Sequence, residues 1–294
     1  MSPRAKVWTA LWAVYIIWGS TYLFIAIAVE TLPPLLAVST RFVAAGLVMA
    51  AIVARRGGTM RVSGRALASC LLIGCLLPGA NAVLFYAEEH VPTGLASLLV
   101  ASVPLWVVVL RLWGRERLHR RSLVGLACGF AGVAVLLRPS GGATWDGIAL
   151  CILSALMWSV GSVAAARLAM PRDPFAATAW EMLAGGAVML PFGIAKAGSV
   201  HPSAGSVLAW VYLVVVGSVV GYTAYTWLLA NAPLGTVSTY AYVNPMVAIA
   251  LGVLFRGEHL SAQIAVGAAV VVAAVAVVVR QEPPAATAPE EGVR

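Results

Sequence analysis

The chain has 294 residues, of which 61% are hydrophobic and 10% are charged, whereas soluble domains carry about 25% charged residues. Together with a mean hydropathy of +0.93, this composition excludes an ordinary soluble protein. The formal net charge of +8 would suit a nucleic-acid partner, but the arginines lie in short segments between apolar runs. That distribution is typical of an orientation signal in a membrane protein and not of a nucleic-acid-binding surface.

Apolar runs of about 20 residues, the length of a membrane-crossing helix, recur along the whole chain. The first run follows Arg4 and Lys6, as in a signal peptide, but it is too long for the apolar region of one. Residues 281–294 are rich in Pro, Ala and Glu, and we expect a disordered cytoplasmic tail there. We predict an all-α integral membrane protein with ten transmembrane helices, at Val7–Val29, Leu35–Ala54, Ala66–Ala87, Thr93–Leu110, Leu123–Leu137, Gly147–Ala166, Phe175–Ala195, Val207–Leu229, Gly235–Phe255 and Ala262–Val279.

The distribution of Lys and Arg predicts the orientation of these helices. With the N-terminus in the cytoplasm, 15 basic residues fall in cytoplasmic segments and 3 fall in external loops. Basic residues concentrate on the cytoplasmic side of membrane proteins. We therefore expect both termini in the cytoplasm.

Two stretches of the chain share one pattern. Gly235 to Leu260 reads GTVSTYAYVNPMVAIALGVLFRGEHL, and Gly94 to Leu118 reads GLASLLVASVPLWVVVLRLWGRERL. The glycines that open them are 141 residues apart, and so are Pro104 and Pro245 near their middles. Matched residues are 140 apart further upstream and 142 apart further downstream. Such an offset indicates a duplicated unit.

The offset divides the chain into a first five-helix repeat at residues 1–138 and a second at residues 139–280. Because five is an odd number, the second repeat enters the membrane in the opposite direction. The charges agree, since five arginines lie from Arg111 to Arg121 after the first proline-containing helix and only Arg256 follows the second. Inverted repeats are typical of transporters that bind substrate near the membrane midplane and work by alternating access.

Pro104 and Pro245 are the predicted hinge, or gating, residues. A proline inside a helix removes one backbone hydrogen bond and frees the carbonyl four residues earlier, which for Pro245 is that of Ala241. In lipid a freed carbonyl must find another partner. We therefore expect both prolines beside protein or a water-filled cavity.

Several short motifs in this ten-helix frame resemble one known family. The motifs are Trp18-Gly19-Ser20, Pro34 followed by Arg41-Phe42, and Gly257-Glu258-x-Leu260. In this order they resemble the EamA-like branch of the drug/metabolite transporter superfamily, over about residues 7 to 280. The resemblance implies a bacterial inner-membrane carrier, often an exporter of amino acids or other small metabolites.

Polar and aromatic side chains within the predicted helices are the candidate substrate-binding residues. Buried hydroxyl and amide groups need partners in lipid, so we expect at least one of their faces to look inward. Hydrogen bonding between helices and ordinary packing are the alternative roles. The candidates are Trp18, Tyr22, Asn81, Phe85, Ser102, Trp158, Ser162, Tyr222, Tyr240 and Asn244.

Arg41 and Glu181 are charged residues within predicted helices, at matching positions of the two repeats. Each lies about seven residues into its helix, roughly 10 Å from the helix start. From that depth Arg41 can extend outward and Glu181 toward the cytoplasm. Glu181 is the candidate for proton coupling. The alternative, a structural anchor, is favoured by its shallow depth.

The sequence contains no pattern typical of catalysis. The histidines lie in predicted loops without metal-ligand spacing, the cysteines lie in apolar helices, and a phosphate-binding loop is absent. We therefore expect no enzyme activity, no metal and no cofactor, and a carrier driven by an ion or substrate gradient. The expected partners are a small-molecule substrate, the lipid bilayer and a coupling proton or counter-substrate, without nucleic acid, for a monomer or dimer.

Two other functions stay open at this point. The duplicated frame also fits a sugar-nucleotide or sugar-phosphate exchanger, whose anionic substrates would require basic side chains in the cavity. Arg41 is the only such candidate within a predicted helix. A membrane scaffold without transport activity is the second alternative, although it would not need two prolines at matched depth.

Overall fold

The described part of the chain is helical. The computed structural model describes residues 2–115, 120–137, 142–232, 234–237 and 239–280, which contain helices and turns but no strand. The tail predicted to be disordered, residues 281–294, lies outside the described residues. A π-helical segment, Leu213–Val220, connects the ninth and tenth α-helices. The α-helices are α1 (Pro3–Ala28), α2 (Pro34–Arg55), α3 (Gly64–Ala87), α4 (Thr93–Val100), α5 (Val103–Trp113), α6 (Arg120–Leu136), α7 (Trp145–Ala165), α8 (Pro174–Lys196), α9 (Ala204–Tyr212), α10 (Gly221–Asn231), α11 (Leu234–Val237), α12 (Tyr240–Arg256) and α13 (Ala262–Arg280).

Within the described residues, seven helical stretches are long and apolar enough to cross a membrane. They are Arg4–Ala28, Pro34–Arg55, Gly64–Ala87, Thr93–Trp113, Trp145–Ala165, Pro174–Lys196 and Ala204–Leu229. The prediction of an all-α chain with membrane-length helices is confirmed for this part of the chain. The count of ten stays a prediction, because α6 and α12 have only 17 residues each, fewer than the about 20 that a crossing usually takes.

Local sequence signals determine where several helices begin and end. The hydroxyls of Ser63, Thr144 and Ser203 accept hydrogen bonds from the N–H three residues further on, at 3.2, 3.3 and 3.1 Å. Each bond satisfies a backbone donor that the first turn of a helix leaves free. At its other end, α12 stops before Gly257, whose φ of 64° is left-handed. Glycine adopts that conformation at little cost and commonly terminates helices.

The two proline-containing stretches are not interrupted in the same way. In the first, α4 ends at Val100 and α5 begins at Val103, so Pro104 lies in the first turn of α5. In the second, α12 begins at Tyr240 and continues through Pro245. A proline in a first turn costs little, because the N–H that it lacks would have had no helical partner. Of these two prolines, Pro245 lies in the interior of a helix as predicted, and Pro104 does not.

Glycines allow the closest contacts between helices. A Cβ atom built on Gly186 of α8 would lie 2.8 Å from the backbone nitrogen of Val43 on α2. A Cβ on Gly185 would lie 2.4 Å from the carbonyl oxygen of Gly74 on α3. Any larger residue at either position would force the helices apart. Small residues permit this close approach in membrane proteins, and they hold α8 directly against α2 and α3.

The remaining helices pack around a central space. On one side α1 packs against α12 and α10, and on the other α7 packs against α3, α4 and α5. The pair formed by α6 and α13 packs mainly on itself, with smaller contacts to α5 and α12. Helices α4 and α12, from the two interrupted stretches, contact each other and so connect the two sides. Their irregular backbone therefore lies against protein.

Candidate functional site

A cavity of about 140 Å³ lies between these two sides. Cavities of this size hold a molecule about as large as benzene. Its wall is contributed by α1, α2, α3, α4, α5, α7, α10, α12 and the π-helical segment. Elements from both halves of the chain therefore enclose one space.

Many of the residues singled out from the sequence meet in this wall. Their roles in substrate binding and gating stay predictions, because lining a cavity does not by itself assign a role. The nine residues are Trp18, Tyr22, Asn81, Pro104, Trp158, Tyr222, Tyr240, Asn244 and Pro245.

The prolines bring backbone carbonyls to the cavity as well as rings. Val100 and Ala241 each lie four residues before a proline, and both line the cavity. A proline cannot donate to the carbonyl at that distance along a helix. The cavity is therefore a place where these carbonyl oxygens can meet water or a bound molecule, as membrane proteins require of irregular backbone.

Trp18 is the centre of an aromatic cluster on one side of the cavity. Its ring centroid lies 5.4, 5.0 and 5.2 Å from those of Tyr222, Tyr225 and Tyr240. Its indole N–H donates to the carbonyl of Gly217 at 3.3 Å. These contacts fix the indole in place, and the cluster offers ring faces to an apolar or aromatic group.

Two asparagines supply amides to the cavity. The side-chain N–H₂ of Asn81 donates to the Leu77 carbonyl at 3.3 Å. In the amide orientation that satisfies both polar atoms, the side chain of Asn244 donates to the carbonyls of Tyr240 and Tyr15 at 3.2 and 3.3 Å. An amide has two donors and one acceptor oxygen. The Asn81 amide can therefore still accept a hydrogen bond from a ligand.

Other predicted residues lie outside the cavity wall. Phe85 and Ser102 are fully buried, and Ser102 accepts a hydrogen bond from the indole of Trp106 at 3.2 Å. The hydroxyl of Ser162 donates to the Trp158 carbonyl of its own helix at 2.8 Å. These contacts correspond to the packing and helix-bonding alternatives. The four residues outside the wall are Phe85, Ser102, Ser162 and Glu181.

The two charges predicted within helices have different surroundings. Glu181 is partly buried on α8 and away from the cavity wall, and its coupling role stays a prediction. Arg41 does not extend outward, and that prediction is wrong. Its side chain is only 3% exposed and lines the cavity. The side chain is held inside the protein because the Nε atom of Arg41 donates to the hydroxyl of the buried Ser218 at 3.1 Å.

Ten lining residues were not among the predicted substrate-binding and hinge residues, and two of the polar ones had a usable signal. Thr21 follows Trp18 by three positions and Ser154 precedes Trp158 by four, so helical spacing places each on a face already singled out. Arg41 and Gly217 had no such signal, because spacing along one helix does not reveal which neighbour it meets. The ten residues are Thr21, Arg41, Leu84, Ser97, Val100, Ala101, Val103, Ser154, Gly217 and Ala241.

A separate buried acid lies where α3 ends and α4 begins. Glu88 is 7% exposed, and both its carboxylate oxygens lack a hydrogen-bond partner among the described residues. Burial raises the pKa of Glu88 well above its usual value, the nearby charge of Glu258 raises it further, and Arg256 opposes the shift. By contrast, the carboxylate of Glu258 accepts from the N–H groups of Thr93 and Gly94 at 2.6 and 2.9 Å. Burial therefore favours the neutral form of Glu88.

Comparisons with known proteins give relatives along almost the whole chain. The model of the EamA-like transporter family matches residues 7–138 and 145–280. The uncharacterized inner membrane transporter YedA of Escherichia coli (strain K12) is 38% identical over 260 residues, which cover 86% of this chain and 83% of YedA.

Two further comparisons are more distant. The probable amino-acid metabolite efflux pump of Salmonella typhimurium is 26% identical over 280 residues, covering 88% of this chain and 89% of the pump. One solved crystal structure is similar with a TM-score of 0.66 at 27% identity, over 93% of this chain and 96% of that chain.

Proposed function

The chain belongs to the EamA-like transporter family, and we propose that it is a secondary-active carrier of the inner membrane that exports small metabolites by alternating access. The observation that carries the proposal is the cavity between the two halves of the chain, to which both interrupted stretches contribute. Its wall combines aromatic rings, amides and one cation, the kind of lining that binds a small polar molecule. The relatives YedA and the Salmonella pump are a transporter and an efflux pump by name.

The proposed architecture is ten transmembrane helices in two inverted repeats, at residues 1–138 and 139–280. The offset of about 141 residues in the sequence and the two matches to the family model support it. The packing supports it too, because equivalent contacts recur with the halves exchanged. Helix α1 packs on α12 as α7 packs on α4 and α5, and α3 packs on α7 as α9 and α10 pack on α1.

The proposed orientation places both termini in the cytoplasm, on the strength of the Lys and Arg distribution. The loops after α1, α3 and α12 then face outward, together with Glu88, Glu258 and the ion pair of Arg256 with Glu30. In alternating access the two repeats rock against each other around the cavity. Pro104 and Pro245 are the proposed hinges, and Glu181 is the proposed coupling residue.

We assign substrate binding to the aromatic cluster and amides of the cavity, with amino acids or related compounds as the substrates. The room of about 140 Å³ suits a molecule of that size better than a nucleotide sugar. One observation favours the exchanger of anionic sugars as second candidate, namely the cation of Arg41 in the wall. A single cation in a small space is a weak match to a phosphorylated sugar.

Flux through reconstituted protein tests the proposal. Purified protein in proteoliposomes is expected to exchange at least one radiolabelled amino acid from a panel that also contains sugar phosphates and nucleotide sugars. Trp18→Ala is expected to lower that flux at least tenfold, because it removes the centre of the aromatic cluster. Trp12→Ala is the matched control, since Trp12 lies on the same helix and is 55% exposed. No flux for any compound would favour a scaffold, and flux of sugar phosphates alone would favour the exchanger.

A further inference from the structure

Arg41 is a buried cation without a counter-ion. It is 3% exposed, and its Nη1 atom is buried without a hydrogen-bond partner. Among the described residues, Arg41 forms no ion pair with a carboxylate. Isolating a charge in a low-dielectric interior costs several kcal/mol unless an opposite charge compensates it. Burial of this unpaired charge therefore favours binding of an anionic group beside it.

The surroundings hold the guanidinium in one place. Its Nε atom is anchored on Ser218 at 3.1 Å, and its Cζ atom lies 5.1 and 5.9 Å from the ring centroids of Phe42 and Phe85. Gly217 lies beside it, since a Cβ atom built there would be 3.5 Å from Nη2, an ordinary van der Waals contact. Phe85, singled out as a substrate contact, instead packs against the residue that lines the cavity.

The charge at this position is permanent. Arginine keeps its proton under any condition that a folded protein meets, so it cannot relieve its burial by becoming neutral. With Nε occupied by Ser218, the Nη atoms are the donors directed away from the anchor. Two N–H groups side by side match the two oxygens of a carboxylate.

We propose that Arg41 binds the carboxylate of the transported molecule, so that the substrate class is small compounds with a single carboxylate, such as amino acids and short organic acids. The inference rests on the proposed function and specifies the ligand chemistry of the same cavity. One guanidinium neutralises one negative charge, which fits a monocarboxylate better than a phosphate ester carrying two. The rings of Trp18, Tyr222 and Tyr240 then face the apolar part of the substrate.

The test compares each acid with its own amide. The twenty protein amino acids, acetate and benzoate are added singly to the purified protein in detergent, alongside their amides and inorganic phosphate. Binding is measured as a rise in apparent melting temperature, because a ligand that binds only the folded state stabilises it. At least one acid is expected to raise the melting temperature of the wild type, and its amide is expected to have no effect.

Variants of Arg41 supply the second half of the test. Arg41→Gln is expected to weaken binding of that acid roughly ten- to hundredfold, the worth of a charge-assisted hydrogen bond, and Arg41→Lys is expected to weaken it less. Arg41→Gln removes an uncompensated buried charge, so the fold is expected to survive, and size-exclusion chromatography checks this. Arg56→Gln is the matched control, because Arg56 ends the same helix, is exposed, and lies 4.6 Å over the Phe175 ring.

Three outcomes would overturn the inference while leaving transport intact. These are an amide that binds as tightly as its acid, an Arg41→Gln variant that binds like the wild type, and phosphate binding in the absence of carboxylate binding. Proteoliposomes that move no compound at all would instead contradict the proposed function. The two failures are therefore distinguishable.

Discussion

Arg41 and Glu88 are both buried, at 3% and 7% exposure, and neither forms an ion pair within the described part of the chain, yet their chemistry differs. Arginine cannot lose its proton, whereas a carboxylate can take one up and become neutral. Burial raises the pKa of Glu88, which favours this protonated, neutral form. An uncompensated arginine therefore indicates a missing ligand, while an uncompensated glutamate indicates a response to pH.

The positions of the two residues extend this contrast. Arg41 lies in the cavity wall, and Glu88 follows Leu84, another lining residue, by one helical turn at the end of α3. Tyr22 and Cys151 lie close enough to Glu88 for its charge to act on them, and Tyr22 also lines the cavity. The residue proposed to bind ligand and the residue expected to respond to pH are thus close to each other in the fold.

The largest effect on stability is expected from Glu258→Gln. In contrast to Glu88, Glu258 has hydrogen-bond partners for its carboxylate. Glu258 accepts two backbone hydrogen bonds at the start of α4, and a hydrogen bond to a charged group contributes about 1.5–3 kcal/mol. We expect a loss of that size in the free energy of unfolding in detergent. The pKa of Glu88 is also expected to fall, because the charge of Glu258 helps to raise it. An unchanged stability would show that these two bonds contribute little.

Glu88→Gln is expected to flatten the dependence of stability on pH. Because folding raises the pKa of Glu88, its stabilising contribution is fully present below the unfolded pKa of about 4.3 and is lost as pH rises through the folded pKa. Over that interval the wild type is expected to lose up to about 1.4 kcal/mol per pH unit. Thermal unfolding in a pH series measures the slope.

The control for this series is Glu89→Gln. Glu89 is the next residue along the chain and is exposed. Desolvation raises its pKa as well, though not as far as that of Glu88, so its variant is expected to flatten the slope less than Glu88→Gln does. The groups whose charges act around Glu88 are Tyr22, Cys151, Glu258 and Arg256, and all of them are retained. A slope that persists in Glu88→Gln would assign the pH response to another group.

The smallest effect on stability is expected from Glu30→Gln, which breaks an ion pair whose two side chains are both partly exposed to solvent. Glu30 pairs with Arg256, and their side chains are 48% and 34% exposed. Exposed ion pairs contribute about 0–1 kcal/mol, so unfolding in detergent should shift by less than that. High salt is expected to remove even this difference by screening. A loss above 2 kcal/mol would contradict the contrast between buried and exposed charges.

The sequence was sufficient for features set by composition and repetition. Trp18 pairs with Trp158 at an offset of 140 residues, and Asn81 pairs with Tyr222 at an offset of 141. All four side chains line the cavity. Arg41 was misplaced, because depth along a helix says nothing about whether a neighbouring helix offers an anchor such as Ser218.

Two other features also depended on contacts between distant segments. Glu88 was overlooked because a carboxylate just after a helix resembles any loop residue until the segments that bury it are known. Two serines predicted to bind substrate, Ser102 and Ser162, lie outside the cavity wall for a related reason. Ser102, between α4 and α5, donates to the Leu99 carbonyl of α4, and Ser162 donates to the Trp158 carbonyl of its own helix. Sequence spacing cannot distinguish such local bonds from a role in the cavity.

The π-helical segment has a consequence for the direction in which the tyrosines point. Matched residues are 140 apart at Met49 and Met189 but 141 apart at Asn81 and Tyr222, and the segment Leu213–Val220 lies within that interval. One additional residue turns everything after it by about 100° on an α-helix. Deleting a single residue from the segment would therefore swing Tyr222 away from Trp18 without changing a single side chain of the aromatic cluster.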